Sequence, residues 1–156
     1  MPMDNKSAEQ IATIADIRTA LERIAGNIRV TPVISEPLVN ELLGCELWLK
    51  CENLQRTGAF KFRGASNAIA RLTELSEQCA DLDIIQNKVD KVLTVSEPGI
   101  RDAMALIWRH FRMLIEPSSA TVIAAICEYP EVFAGQKVGA IISGGNVDLE
   151  QLPFKP

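Results

Sequence analysis

Cys51-Glu52-Asn53-Leu54-Gln55-Arg56-Thr57-Gly58-Ala59-Phe60-Lys61-Phe62-Arg63-Gly64-Ala65 is the stretch on which the reading of this chain turns. It is entered from Glu46-Leu47-Trp48-Leu49-Lys50-Cys51, where polar and apolar residues alternate as in a strand with one buried face. Thr57-Gly58 supplies a turn, and the residues beyond it run into a helix through about Leu72. Lys61 thus falls between two phenylalanines at a helix start. Apolar surroundings disfavour the ammonium form, and a neutral amine is what a Schiff base with a carbonyl cofactor requires.

Working outward, Thr13-Ile14-Ala15-Asp16 predicts a helix start with Asp16 at its third position. Ile14, Ile17, Leu21 and Ile24 then recur at helical spacing, and Gly26 is the stop. Thr31-Pro32 is extended, and Ser35-Glu36-Pro37 opens a short helix that Gly44 closes. Beyond the lysine stretch, Thr73 to Asp81 has no periodicity and reads as a junction, and Ile84 to Val89 as a helical turn or two. Lys91 to Val95 reads as a strand. Ser96-Glu97-Pro98 caps a long helix with an apolar face of Ile100, Ala103, Met104, Ile107 and Phe111. Met113-Leu114-Ile115 reads as a buried strand, and Glu116-Pro117 opens a helix to about Cys127. Lys137 to Ile142 is the last strand, leading into Ser143-Gly144-Gly145. Strands alternating with helices predict an α/β class with mostly parallel strands.

The totals fit one soluble domain: 156 residues, 47% hydrophobic, 23% charged, net charge -4. A compact fold of this size buries roughly 70% of its unfolded surface, so a core is possible. No basic stripe points to nucleic acid, no apolar run spans a bilayer, and Met1 to Lys6 has no signal-peptide core. The expectation is a cytoplasmic protein with no nucleic-acid or membrane partner. Cys45, Cys51, Cys79 and Cys127 make no CxxC pair and only His110 could join them, so reduced, scattered thiols are expected and no metal site.

Three further residues stand where chemistry is done. Ser143 lies at the carboxyl end of a strand, where open α/β sheets place ligands, though spacing alone reads it as a turn residue. Glu116 sits at a helix N-terminus, where the dipole favours a carboxylate. Arg56 and Arg63 could attract a phosphate, with solvated charge as the default, and His110 reads as solvent-facing.

The string Asn53-Leu54-Gln55-x-Thr57-Gly58-x-Phe60-Lys61-x-Arg63-Gly64-Ala65 resembles the cofactor-lysine motif of the fold type II pyridoxal-phosphate enzymes, in the threonine dehydratase and serine racemase branch. Ile142-Ser143-Gly144-Gly145-Asn146-Val147-Asp148-Leu149 resembles the C-terminal signature of the same branch. Glu116-Pro117-Ser118-Ser119-Ala120 resembles a segment that packs beside the cofactor ring. The resemblance implies a tryptophan-synthase-β-like architecture and pyridoxal 5'-phosphate as cofactor. Lys61 then forms the Schiff base and acts as the base on the substrate Cα hydrogen. Phe60 wedges the lysine, Asn53 fixes its loop, and Ser143 with Gly144 and Glu116 faces the cofactor. The Ser143 hydroxyl hydrogen-bonds the pyridine nitrogen, making a weaker electron sink than a carboxylate partner does.

The same resemblance marks a gap. Family members are about twice as long, with a Ser-x-Gly-Asn-His loop and a run of phosphate-binding glycines. Neither occurs here; the only adjacent glycines are Gly144-Gly145. The implied organisation is a disordered N-terminus at 1–12, an N-terminal portion at 13–75, a junction at 76–82 replacing a central segment, and a C-terminal portion at 83–156. Strands and helices that lost their neighbours are expected to keep uncovered apolar faces and to self-associate. The implied activity is a threonine/serine ammonia-lyase that forms a 2-oxo acid and ammonia by β-elimination from a small amino acid. One alternative is an inactive remnant, or a subunit that pairs with itself or with a full-length homologue. Others are a serine racemase, whose second acid/base would lie in the absent segment, and a small soluble module with a new role.

Overall fold

Strands β1 (Val33–Ile34), β2 (Glu46–Cys51) and β3 (Lys137–Ile142) form one sheet in the order β1-β2-β3. The computed structural model describes residues 12–71 and 89–152 of the chain. The expected disorder at 1–12 (but for residue 12), the junction at 76–82, Leu72, Cys79 and the turn at 84–88 lie outside the described residues. β2 and β3 run parallel over their whole length, from Glu46 opposite Lys137 to Cys51 opposite Ile142. The two-residue β1 joins the other edge of β2 antiparallel. The sheet is therefore mixed, with one parallel ladder.

The local signals explain most helices. In α1 (Ile14–Ile24) the Asp16 carboxylate accepts from the Thr13 amide at 2.7 Å and the Thr13 hydroxyl accepts from the Asp16 amide at 3.3 Å, a reciprocal capping box. α2 (Pro37–Leu43) starts on proline and ends at Gly44 in the left-handed conformation, φ 65°. α3 (Lys61–Ala70) follows the glycine turn. α4 (Glu97–Phe111) is capped by Ser96, whose hydroxyl accepts from the Gly99 amide at 3.0 Å. α5 (Pro117–Glu128) and the single turn α6 (Pro130–Phe133) lead back to β3.

The core lies between one sheet face and the pair α4 and α5. Alternation along the strands turns Leu47, Leu49 and Cys51 inward with Ala140 and Ile142 beside them. Ala103, Met104 and Ile107 of α4, Ile115, and Ala120, Ile123, Ala124 and Ile126 of α5 complete it. Each such Leu or Ile contributes on the order of 1.5–3 kcal/mol by leaving water. The opposite sheet face is uncovered: Val33, Trp48 and Ile141 are 55%, 42% and 57% exposed. On α1 the expected apolar face exists, but only Ile24 is buried; Ile14, Ile17 and Leu21 are exposed.

Two expected strands are absent. Residues 91–95 and 113–115 join no ladder, although Ile115 is buried. A strand is defined by its hydrogen-bonding neighbour, and the described sheet ends at β3 on one side and β1 on the other. No helix among the described residues is long and apolar enough to cross a membrane. Cys45 and Cys51 are buried and Cys127 is exposed, all unpaired. Burial raises the Cys45 and Cys51 thiol pKa values, which disfavours the thiolate that binds metals.

Candidate active site

The lysine loop and the serine loop are laced together by backbone. The Phe60 amide donates to the Ser143 carbonyl at 2.9 Å, and the Gly145 amide donates to the Gly58 carbonyl at 3.0 Å. Between them Ala59 and Gly144 form an antiparallel bridge. The Asn146 side-chain amide then donates to the Thr57 carbonyl at 3.1 Å. Both loops leave the carboxyl ends of adjacent parallel strands, where α/β sheets present their chemistry. Thr57 has φ 63° and Gly58 φ 74°, which turns the chain back from β2 to α3. The φ of Gly58 favours glycine, and a Cβ there would meet Asn146 Oδ1 at 2.6 Å, so the Asn146 side chain would have to shift.

Lys61 is the first residue of α3, one residue past the Phe60–Ser143 bond. Its side chain is exposed, and Phe60 is 47% exposed. The expected apolar wall around the lysine is thus not formed by the described residues. A helix start on the sheet rim faces water unless another layer covers it. Ser143 is half-buried just beyond β3, its Oγ 2.9 Å from Ser119 Oγ. Gly144 is buried and held from both sides. Its amide donates to Ser119 Oγ at 2.7 Å, and its carbonyl accepts from the Ser119 hydroxyl at 2.7 Å and the Glu116 amide at 3.1 Å. A Cβ on Gly144 would stand 2.5 Å from Glu116 Oε2.

Glu116 therefore packs on the serine loop. Its Oε2 accepts from the Asn146 amide at 3.3 Å and its Oε1 from the Ser118 hydroxyl at 2.5 Å. Asn53 does face this region: its Cβ is 3.3 Å from a side-chain position on Gly145. Among the described residues its buried Oδ1 has no hydrogen-bond partner, and its Nδ2 has the Met113 sulfur at 3.9 Å.

Behind the lysine loop lies a polar network that spacing did not reveal. Glu52, 4% exposed, receives Arg63 through two nitrogens at 2.7 Å each and the Thr31 hydroxyl at 2.5 Å. The Arg63 hydrogen bonds hold the Glu52 carboxyl below its ordinary range, against the opposing effect of burial, with Thr31 and Lys50 assisting. Arg63 is correspondingly raised, chiefly by its hydrogen bonds to Glu52. Arg63 is thus committed to an ion pair, not offered to a phosphate. Gln55, 2% exposed, accepts from the Arg29 amide at 2.9 Å and donates to the Arg29 carbonyl at 2.9 Å. These bonds pin residues 29–31 against the lysine loop. The signal available in sequence was a Glu, a Gln and an Arg inside an otherwise turn-like stretch. Ser119 was missed for a similar reason: Ser118, Ser119 and Thr121 open an otherwise apolar helix, and nothing in the string separates one hydroxyl from the others.

The fold is that of the fold type II pyridoxal-phosphate enzymes. A threonine deaminase (T.th.) superposes with a TM-score of 0.75 at 18% identity, over 93% of this chain and 100% of that one. Serine racemase from Dictyostelium discoideum gives 0.69 at 19% identity, over 88% and 99%. The family model "Pyridoxal-phosphate dependent enzyme" matches residues 24–80 and 76–144, so the chain belongs to that family, whose cofactor is pyridoxal phosphate. Among relatives, beta-hydroxyaspartate dehydratase of Paracoccus denitrificans (strain Pd 1222) is 51% identical over 70 residues, 45% of this chain and 22% of that protein. Serine racemase of Dictyostelium discoideum is 55% identical over 62 residues, 40% and 19%. The chain thus spans about a fifth of the length of the curated relatives it matches.

Proposed function

We propose that this chain carries the lysine and ring-facing parts of a pyridoxal-phosphate ammonia-lyase for small hydroxy amino acids. The observation that carries the reading is the 2.9 Å bond from the Phe60 amide to the Ser143 carbonyl, which joins the two motifs at the rim of the sheet. The residues fit the cofactor at two of its ends. Lys61 offers an exposed amine in no ion pair among the described residues, and Ser143 a half-buried hydroxyl. Asn53 adds a buried carbonyl oxygen, unpartnered among the described residues, beside the serine loop. The phosphate end fits poorly. The amides of the Gly144-Gly145 pair are already committed, to Ser119 Oγ and the Gly58 carbonyl, and cannot serve as a cradle.

When bound, the cofactor supplies an electron sink for a carbanion at the substrate Cα. The chain's own contribution is then specific. Lys61 holds the cofactor through its amine and moves the proton at Cα. The Ser143 hydroxyl orients the ring nitrogen. Glu116 and Gly144 keep the serine loop at its height above the sheet. Loss of the Cα proton and the β-hydroxyl as water, followed by hydrolysis of the released enamine, would give a 2-oxo acid and ammonia. Threonine, serine and 3-hydroxyaspartate are the substrates to compare, the last from the name of the dehydratase relative.

A second reading is a non-catalytic remnant that pairs with itself or with a full-length homologue. It is favoured by the uncovered sheet face of Val33, Trp48 and Ile141 and by the committed amides of Gly144 and Gly145. The organisation proposed is two portions, 13–75 and 83–156, joined at 76–82; the two family matches that meet at residues 76–80 support it.

The test is titration with pyridoxal phosphate, borohydride reduction and peptide mapping, followed by a 2-oxo acid assay on the three amino acids. A saturable adduct at Lys61 that is lost in Lys61→Ala, with turnover of one substrate, is the expected result. An adduct without turnover favours the remnant. Labelling spread over other lysines such as Lys50, Lys91 and Lys137 removes the cofactor reading.

A further inference from the structure

Ser119 is a buried hydroxyl on which three bonds converge. It is 1% exposed and lies in the first turn of α5. It accepts from the Gly144 amide at 2.7 Å, donates to the Gly144 carbonyl at 2.7 Å, and stands 2.9 Å from Ser143 Oγ. A hydroxyl has one proton and two lone pairs. With the Ser119 proton on Gly144, the contact between the serines is filled by the Ser143 proton. In that arrangement Ser143 turns only lone pairs away from Ser119.

A second arrangement is close at hand. The Gly144 carbonyl also receives the Glu116 amide at 3.1 Å. Ser119 can therefore release that carbonyl without orphaning it, and turn its proton to Ser143 Oγ. The Gly144 amide stays on Ser119 throughout. Ser143 then has its own proton free to point away, and its oxygen is polarised by an incoming donor, which strengthens the bond it donates.

We infer that Ser119 is a positioning residue for Ser143: it donates to Ser143 Oγ when Ser143 turns its proton to the pyridine nitrogen of bound cofactor, and so fixes and strengthens that donor. The role rests on the cofactor reading above. No bond is made or broken; two hydroxyl protons rotate together. Ser118, its neighbour, has no part in this, because its hydroxyl is committed to Glu116.

The experiment uses the full chain loaded with pyridoxal phosphate carrying nitrogen-15 in the ring. The ring-nitrogen resonance is recorded in the unsubstituted chain and in Ser143→Ala, Ser119→Ala and Ser119→Cys. Ser143→Ala sets the value for a ring without its donor. Ser119→Ala is expected to move the resonance part of the way toward that value and to weaken cofactor binding about fivefold, the scale of one neutral hydrogen bond. Ser119→Cys keeps the side-chain shape but donates weakly, so it moves the resonance less, in the same direction. It decides the matter if the alanine variant does not fold. An adduct at Lys61 with an unmoved resonance overturns the role of Ser119 alone. Absence of any bound resonance or Lys61 adduct in the unsubstituted chain overturns the cofactor reading, and this role with it.

Discussion

The amide of Phe60 and the carbonyl of Ser143 meet at 2.9 Å, so the residue before the lysine is bonded to the serine itself. This bond ties the height of the start of α3 to that of the loop after β3. Anything that lifts one loop lifts the other.

Gly58 sits at the tightest point of that tie. Its φ of 74° strains any side chain, and a Cβ would meet Asn146 Oδ1 at 2.6 Å and push that side chain off the Thr57 carbonyl. Gly58→Ala is expected to cost about 1–3 kcal/mol and to reduce cofactor trapping at Lys61. Gly26→Ala, where nothing lies within 4 Å, is the matched control and is expected to be near neutral. Urea midpoints check both; an unchanged midpoint for Gly58→Ala would refute the close approach.

Thr57 is a β-branched residue held at φ 63°, a conformation that costs such a residue roughly 1–2 kcal/mol. Its tie to Asn146 runs through the backbone carbonyl, so the side chain is replaceable. Thr57→Asn, a residue that tolerates this region better, is expected to raise stability by about 1 kcal/mol. A lower melting temperature in calorimetry would mean that the threonine side chain is needed there.

Glu52 gives the protein an acid limb. Its folded pKa is depressed, first by the Arg63 hydrogen bonds. The stabilisation is therefore complete above the unfolded value of 4.5 and is lost as pH falls through the lower folded value. Glu52→Gln is expected to flatten the urea midpoint in this acid window. Arg63→Met leaves a carboxylate 4% exposed without its main partner. Because Arg63 is itself partly exposed, the cost should fall toward the low end of about 3–5 kcal/mol at neutral pH. Equal acid limbs in the unsubstituted and Glu52→Gln chains would place the titration elsewhere.

Trp48 and Ile141 lie on the uncovered sheet face, and sedimentation at rising concentration should show association through it. Trp48→Lys with Ile141→Glu is expected to suppress that association while leaving the urea midpoint within about 0.5 kcal/mol, since neither side chain is in the core. Association that persists in the double variant would locate the contact on another surface.

Where chemistry is local, the sequence was readable. Thr13 with Asp16 and Ser96 with Gly99 each mark a helix start through bonds within a few residues, and Pro37 and Gly44 mark the two ends of α2. The alternation in Glu46–Cys51 shows which strand face is buried. The motifs around Lys61 and Ser143 led to the expectation of a shared site; the structure brings their backbones together at Phe60 and Ser143. What could not be read depends on distant neighbours. The apolar runs at 91–95 and 113–115 look like strands, but pairing is a property of a partner. The exposure of Lys61 and Phe60 is likewise set by what lies over α3, which no residue near them encodes. Ser119 gains its meaning only when Gly144 arrives from 25 residues away, and Glu52 only when the turn folds Arg63 back onto it.

The six-residue parallel ladder between β2 and β3 has a consequence for the covalent chain. β2 precedes residues 72–88 and β3 follows them, yet their inner side chains fill one core. Neither portion can bury Leu47, Leu49, Ala140 and Ile142 alone. The two portions are thus not independent modules, although residues 72–88 separate them in sequence. A chain severed there should survive as two mutually templating fragments, each the missing half of the other's hydrophobic interior.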